Sequence, residues 1–101
     1  MWLFTFFDLP VTTRNQRKLA TRFRNTLLRL GCTMLQYSIY AIYCTSEEAA
    51  ESKRRLIRSE LPPEGQVRLM AVTDHQFGKM EAFIGETPTP PEQAPRQLEF
   101  F

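Results

Sequence analysis

Asp8 stands alone. It follows the apolar run WLFTFF (residues 2–7), and no further acid appears until Glu47. A lone aspartate at the end of such a run fits two chemistries. It can close a strand and cap the LPVT turn that follows. It can also offer a hard oxygen ligand to a metal ion held over a phosphate backbone. One carboxylate makes a poor magnesium site, and no histidine lies close in sequence. A general base is therefore not evident, and chemistry carried by these residues alone would be feeble.

The stretch after Asp8 carries one sign of charge. From Leu9 to Ser46 there is no acid, while Arg14, Arg17, Lys18, Arg22, Arg24 and Arg29 fall within it. The chain's net charge is only +2, so the asymmetry says more than the total. Charges opposite an apolar stripe are ordinarily just a solvated surface. Here they are all alike, and like pairs such as Arg14/Lys18 and Lys18/Arg22 cost a few tenths of a kcal/mol each. Such a ridge suits a nucleic-acid backbone, where bases displace condensed counterions. Phosphate contacts give affinity without sequence choice. The later bases Lys53, Arg54, Arg55 and Arg58 are mixed with glutamates and read more readily as surface. Tyr37, Tyr40 and Tyr43 can stack on bases or pack. Ser38 can contact a phosphate or satisfy a bend, and His75 reads as a surface or capping residue.

These residues need positioning. Residues 2–7 predict a strand apolar on both faces, with Trp2, Phe4 and Phe6 on one and Leu3 and Phe7 on the other. Pro10 ends it, and Thr12 or Thr13 can cap a helix over 14–30. Leu19, Phe23, Leu27 and Leu30 form its apolar stripe, and Gly31 suits its end. TMLQYSIYAIYC (33–44) predicts two strands joined by a bend near Tyr37 and Ser38. A second helix follows, with Thr45 and Glu48 as a capping box and Ala49, Leu56 and Ile57 facing inward. PPEG stops it, and residues 66–73 form another strand. Residues 74–85 predict a turn of helix and a short strand.

The order is β-α-β-β-α-β in an α+β chain. Two helices on one face of a four-stranded antiparallel sheet is the ferredoxin-like sandwich, here with extra C-terminal strand. That arrangement leaves the other face of the first strand bare, so a second copy is expected to cover it. The expected division is a ferredoxin-like domain over 1–85 and a proline-rich tail over 86–101, extended as a tether. The last residues, LEFF, are a frayed end or a docking strand. The chain's 101 residues suit one core. No apolar run spans a bilayer and no signal peptide opens the chain, which predicts a cytoplasmic protein without a membrane. Cys32 and Cys44 lack zinc-site spacing; a hairpin near Ser38 can bring them opposite, but two buried thiols are expected in a reducing cytosol.

On three segments the chain resembles the CRISPR-associated protein two family. They are FFDLP, LGCTMLQYSIY and LPPEGQVRLMAVTDHQFGKM, in that order, and the likeness covers roughly residues 1–85. The resemblance implies a ferredoxin-like homodimer that works in CRISPR spacer acquisition beside the adaptation integrase and lies against the prespacer DNA duplex. It also implies a magnesium-dependent endonuclease acting on single-stranded RNA or on DNA. Asp8 matches the family's metal aspartate and is the expected catalytic residue. Two Asp8 carboxylates meeting across a dimer axis would share one Mg2+. Arg14, Arg17, Lys18, Arg22 and Ser38 are the expected nucleic-acid contacts. A toxin-like metal-dependent endoribonuclease with no scaffold role is the alternative. An RNA-recognition module is disfavoured, because the third strand lacks the aromatic signature with glycines.

Overall fold

A strand apolar on both faces has to be covered twice, and the architecture follows from that. The computed structural model describes residues 1–95. Its elements are β1 (Trp2–Asp8), α1 (Arg14–Arg29), β2 (Thr33–Gln36), β3 (Ile39–Tyr43), α2 (Glu47–Arg58), β4 (Gln66–Val72), α3 (Asp74–Gly78), β5 (Ala82–Ile84) and β6 (Thr87–Thr89). β1 lies inside a four-stranded sheet of order β2-β3-β1-β4. Every pairing is antiparallel: Trp2↔Tyr43 to Phe6↔Ile39 on one side, and Trp2↔Val72 to Asp8↔Gln66 on the other. This is the expected ferredoxin-like arrangement, with a separate β5–β6 hairpin after it.

The first cover is the helix pair. Leu3 and Phe7 pack with Phe23 and Leu27 of α1, Ala50 and Ile57 of α2, and Cys32, Tyr40 and Cys44. α1 starts at Thr13, whose hydroxyl accepts from the Gln16 N–H at 3.1 Å, while Gln16 Oε1 accepts from the Thr13 N–H at 3.0 Å. Gly31 follows its end with φ +97°, a left-handed turn that glycine adopts at little cost. In α1 the buried set is Ala20, Phe23, Thr26 and Leu27, while Leu19 and Leu30 sit half-buried at its margin.

α2 departs from expectation in two ways. Its cap is Ser46, which accepts from the Ala49 N–H at 3.1 Å, not Thr45. Cys44 N–H still donates to Met1 C=O at 2.8 Å, so the chain stays extended past β3 and enters the helix one residue later. In that register Ala50 and Ile57 face the sheet, and Leu56 turns to solvent. Cys32 and Cys44 are both free, buried thiols. The strands pair Thr33 with Ala41, so the two cysteines are not opposite each other. Burial pushes the Cys32 thiol up to about 11.

The second cover is partly the chain's own. Phe77 of α3 stacks on Trp2 at 4.3 Å and lies 5.7 Å from Phe4. The Tyr43 hydroxyl donates to Asp74 at 3.2 Å, anchoring the start of α3, and the Met1 ammonium sits 2.7 Å from the same carboxylate. The face expected to be bare is therefore closed over Trp2 and Phe4, with Phe6, Leu35 and Ile39 left half-buried at its edge. The tail also differs from a plain tether. Thr87–Thr89 pairs with Ala82–Ile84, and Pro88 fits because a two-stranded hairpin has an edge that needs no donor. The expected LEFF docking strand lies outside the described residues.

One flaw remains in the helix-side core. The Thr5 hydroxyl is buried and has no hydrogen-bond partner. Thr5→Val removes the orphan group at nearly constant shape. It is expected to raise stability by about 1 kcal/mol, read as a higher urea midpoint at unchanged m-value.

Candidate functional site

The direction of the chain collects several features at one end of the sheet. β1 ends there with Asp8, the β2–β3 turn at Tyr37 and Ser38 lies beside it, and α1 begins there after the 9–13 loop. The loop from α2 to β4 returns to the same end and brings Gln66 opposite Asp8.

Asp8 is exposed. Strand alternation places it on the face of Trp2, Phe4 and Phe6, away from the helices. Its backbone is held by Gly65, which has φ +92°. A Cβ on Gly65 would come within 2.7 Å of the Asp8 carbonyl oxygen and 2.8 Å of Leu9 Cδ2. Only glycine allows that crossing, so Gly65 is a positioning residue, a role beyond the turn that its sequence context predicts. Its signal was the PPEG stop. Among the described residues, no group of three or more His, Cys, Asp or Glu side chains comes together.

The bases lie elsewhere. Arg14, Arg17, Lys18, Arg22 and Arg29 are exposed on α1, which packs against the opposite face of the sheet. Lys18, Arg22 and Arg29 line a concave surface with Thr21, Asn25 and Glu60. Arg29 and Glu60 approach to 3.7 Å. Arg17 is partly committed: its Nη1 donates to the carbonyls of Val11 and Thr12, each at 3.1 Å, and staples the loop between β1 and α1. Asp8 and the ridge are thus separated by the sheet within one chain.

The two helices treat their dipoles oppositely. α2 carries Glu47 and Glu48 in its first turn and Arg55 and Arg58 in its last, as the macrodipole favours. α1 has no acid in its first turn and places Arg14 and Arg17 at its positive end. That placement costs stability, a few tenths of a kcal/mol per charge; Arg17 offsets it through the loop carbonyls, whereas Arg14 makes no ion pair among the described residues.

The bend residues separate by role. Ser38 has φ +71°, and its carbonyl accepts from the Phe7 N–H at 3.1 Å, which extends the β1–β3 ladder into the turn. Tyr40 is buried in the core, and Tyr43 meets Trp2 edge-on at 5.4 Å. Tyr37 remains 72% exposed. Arg24, expected on the ridge, instead lies over the rings of Tyr37 and Phe7. His75 is exposed in the first turn of α3, consistent with a surface residue.

Beyond Asp8 on the same side of the sheet, Phe4, Phe6, Leu35, Ile39 and Met80 line a groove of about 670 Å³ with Phe83 and Ile84 of the hairpin. Phe83 and Ile84 are exposed.

Comparison with known proteins relates the sequence to one group. A family model described as CRISPR associated protein Cas2 covers residues 1–80. A Flavobacterium psychrophilum protein named CRISPR-associated endoribonuclease Cas2 is 46% identical over 101 residues, all of this chain and 88% of that protein. Proteins with the same printed name from Parvibaculum lavamentivorans and Paracidovorax avenae are 42% and 40% identical; each match covers all of this chain, with 100% and 94% of the relative.

Gly65→Ala tests the support of Asp8. Added strain at positive φ and the backbone clash are expected to cost about 2 kcal/mol or more, measured by urea unfolding, with displaced Asp8 and Leu9 amide resonances in NMR spectra. An unfolding midpoint equal to wild type would show that the crossing tolerates a side chain.

Proposed function

We propose a function from one premise: the chain belongs to the CRISPR associated protein Cas2 family. Our reading is a homodimeric component of spacer acquisition that holds duplex DNA beside the adaptation integrase. The observation that carries it is the acid-free ridge of α1, built against the helix dipole. Bases that weaken their own helix are accounted for when an external polyanion offsets them.

The chain's residues would divide the work as follows. Arg14, Lys18 and Arg22 neutralise phosphates along the duplex. Arg17 contributes charge while fixing the loop that leads into α1. Gln16 completes the Thr13 cap as a neutral side chain, so the cap adds no acid to the ridge. Ser38 acts through its backbone at the turn, beside any strand that reaches Asp8. None of these contacts reads a base, which suits a protein that must hold any captured sequence.

The dimer reading rests on the groove. Two copies packed face to face would bury Phe6, Leu35 and Ile39 together with Phe83 and Ile84, side chains that one chain leaves open. The same packing would bring both Asp8 side chains to one interface.

A second reading is an endonuclease acting on RNA or DNA, and it includes the alternative of a toxin-like endoribonuclease. For RNA it is favoured by the relatives' printed name, endoribonuclease, and for either substrate by the exposed carboxylate of Asp8. Oxygen donors suit Mg2+, but one chain supplies only this aspartate, so two copies would be needed to hold the ion. When bound, the metal would supply charge stabilisation at a phosphodiester and lower the pKa of a water. Asp8 would hold the ion, and Gly65 would hold Asp8. No helix among the described residues is long and apolar enough to cross a membrane.

The deciding experiment measures duplex DNA binding across salt alongside cleavage of RNA and DNA in magnesium or EDTA. Charge reversal of Arg14, Lys18 and Arg22 together is expected to abolish measurable duplex binding at physiological salt and to flatten the salt slope by about 3. Gln16→Glu keeps the capping acceptor but places an acid in the ridge, and is expected to weaken duplex binding several-fold. Asp8→Asn is expected to leave duplex binding unchanged and to remove any metal-dependent cleavage. Wild-type duplex affinity in the triple reversal would sink the scaffold reading, and metal-dependent cleavage that survives Asp8→Asn would sink the nuclease reading.

A further inference from the structure

We propose that Tyr37 and Arg24 form a seat for one unpaired nucleotide, with the base on the free face of Tyr37 and its phosphate on the Arg24 guanidinium. The inference rests on the nucleic-acid reading above and names a substrate form that the ridge does not select: single-stranded RNA or DNA.

Tyr37 projects from the tip of the β2–β3 turn and is 72% exposed, the most open ring among the three tyrosines. Arg24 covers it, with the guanidinium carbon 4.4 Å from the ring centroid and 5.6 Å from the centroid of Phe7. Both distances lie in cation–π range. The stack covers one side of the Tyr37 ring and leaves a π-face for a base.

Arg24 also lacks what partly buried arginines in this chain otherwise have. Arg54, comparably sheltered, sits 3.5 Å from Glu51. Among the described residues no carboxylate pairs with Arg24, and its Nε is buried without a hydrogen-bond partner. A half-desolvated cation with no counter-charge is costly. Its two Nη groups donate to no partner among the described residues and can serve a phosphate.

The seat is preformed. Ser38 holds the turn in a left-handed conformation and is pinned to β1 through the Phe7 N–H at 3.1 Å. Phe7 is itself fixed by Phe23 and Tyr40 at 5.3 and 5.7 Å. The residue after Phe7 in β1 is Asp8. A nucleotide seated here would place its strand at the carboxylate end of the sheet. Bases in a duplex are already stacked and offer no free face, so the seat selects unpaired strands.

The test uses full-length protein in EDTA, so that no probe is cut. The probes are fluorescein-labelled oligo-U RNA, oligo-dT DNA and a blunt duplex of equal length. Tyr37→Ala and Tyr37→Leu are expected to weaken single-strand binding about tenfold, and Tyr37→Phe to restore it. Arg24→Gln is expected to weaken it and to reduce its salt slope by about 0.7. Duplex affinity and thermal midpoint should stay near wild type in Tyr37→Leu and Tyr37→Phe. Wild-type single-strand affinity in Tyr37→Leu would overturn the seat. So would equal losses for single strand and duplex, which would leave Arg24 as a clamp between turn and helix. Failure of the wild type to bind single strands overturns the seat alone, and failure to bind the duplex overturns the ridge reading alone.

Discussion

β1 is buried on both faces, and each face demands a different solution. Leu3 and Phe7 require helices, and α1 and α2 supply them through Phe23, Leu27, Ala50 and Ile57. Trp2 and Phe4 require a second layer, which a two-layer sandwich does not provide. A single turn of helix does so through Phe77, and the aromatic stack it makes buries much apolar area with few ordered residues. The same strand ends in a carboxylate, so Asp8 emerges where the second layer stops. The open groove beside it is the unfinished part of that layer.

The electrostatic design is clearest in the contrast between the helices. α2 matches its charges to the dipole at both ends, whereas α1 does so only at its last turn, with Arg29, and opposes it at the first. Both helix starts stapled by a Thr–Gln box, at Thr13 and Thr73, use a neutral amide at the third helical position. Glutamate would cap equally well. On α1 the amide keeps the helix itself free of acids and donates to Glu64 at 3.4 Å. Arg17 and Gln16 also serve the fold, through the loop carbonyls and Glu64, while Arg14, Lys18 and Arg22 make no ion pair among the described residues.

Much of this was legible in the sequence because it rests on local periodicity. The two apolar faces of WLFTFF, the helical stripe through Phe23 and Leu27, and the bend near Tyr37 and Ser38 all follow from local pattern. The family resemblance read from FFDLP and LGCTMLQYSIY agrees with the Cas2 match. The misses have tertiary causes. Ser46 caps α2 in place of Thr45 because the Cys44 N–H is held by Met1, a contact between distant segments. Leu56 is outward because Ala50 and Ile57, two turns apart, take the inner face. Arg24 left the ridge because long side chains lean back toward the helix start, where two aromatic rings offered contact. Gly65 was read as a turn residue because its tight neighbour, the Asp8 carbonyl, is remote in sequence.

The sheet stands between Asp8 and the cationic ridge of α1. Residues so separated share no side-chain neighbours, and changes in them should combine nearly additively. Substitutions at the carboxylate therefore leave the charge pattern of α1 untouched, and the reverse also holds. Loss of one property leaves the other open to selection. The scaffold thus allows the carboxylate end and the helix surface to change independently, with the shared core left intact.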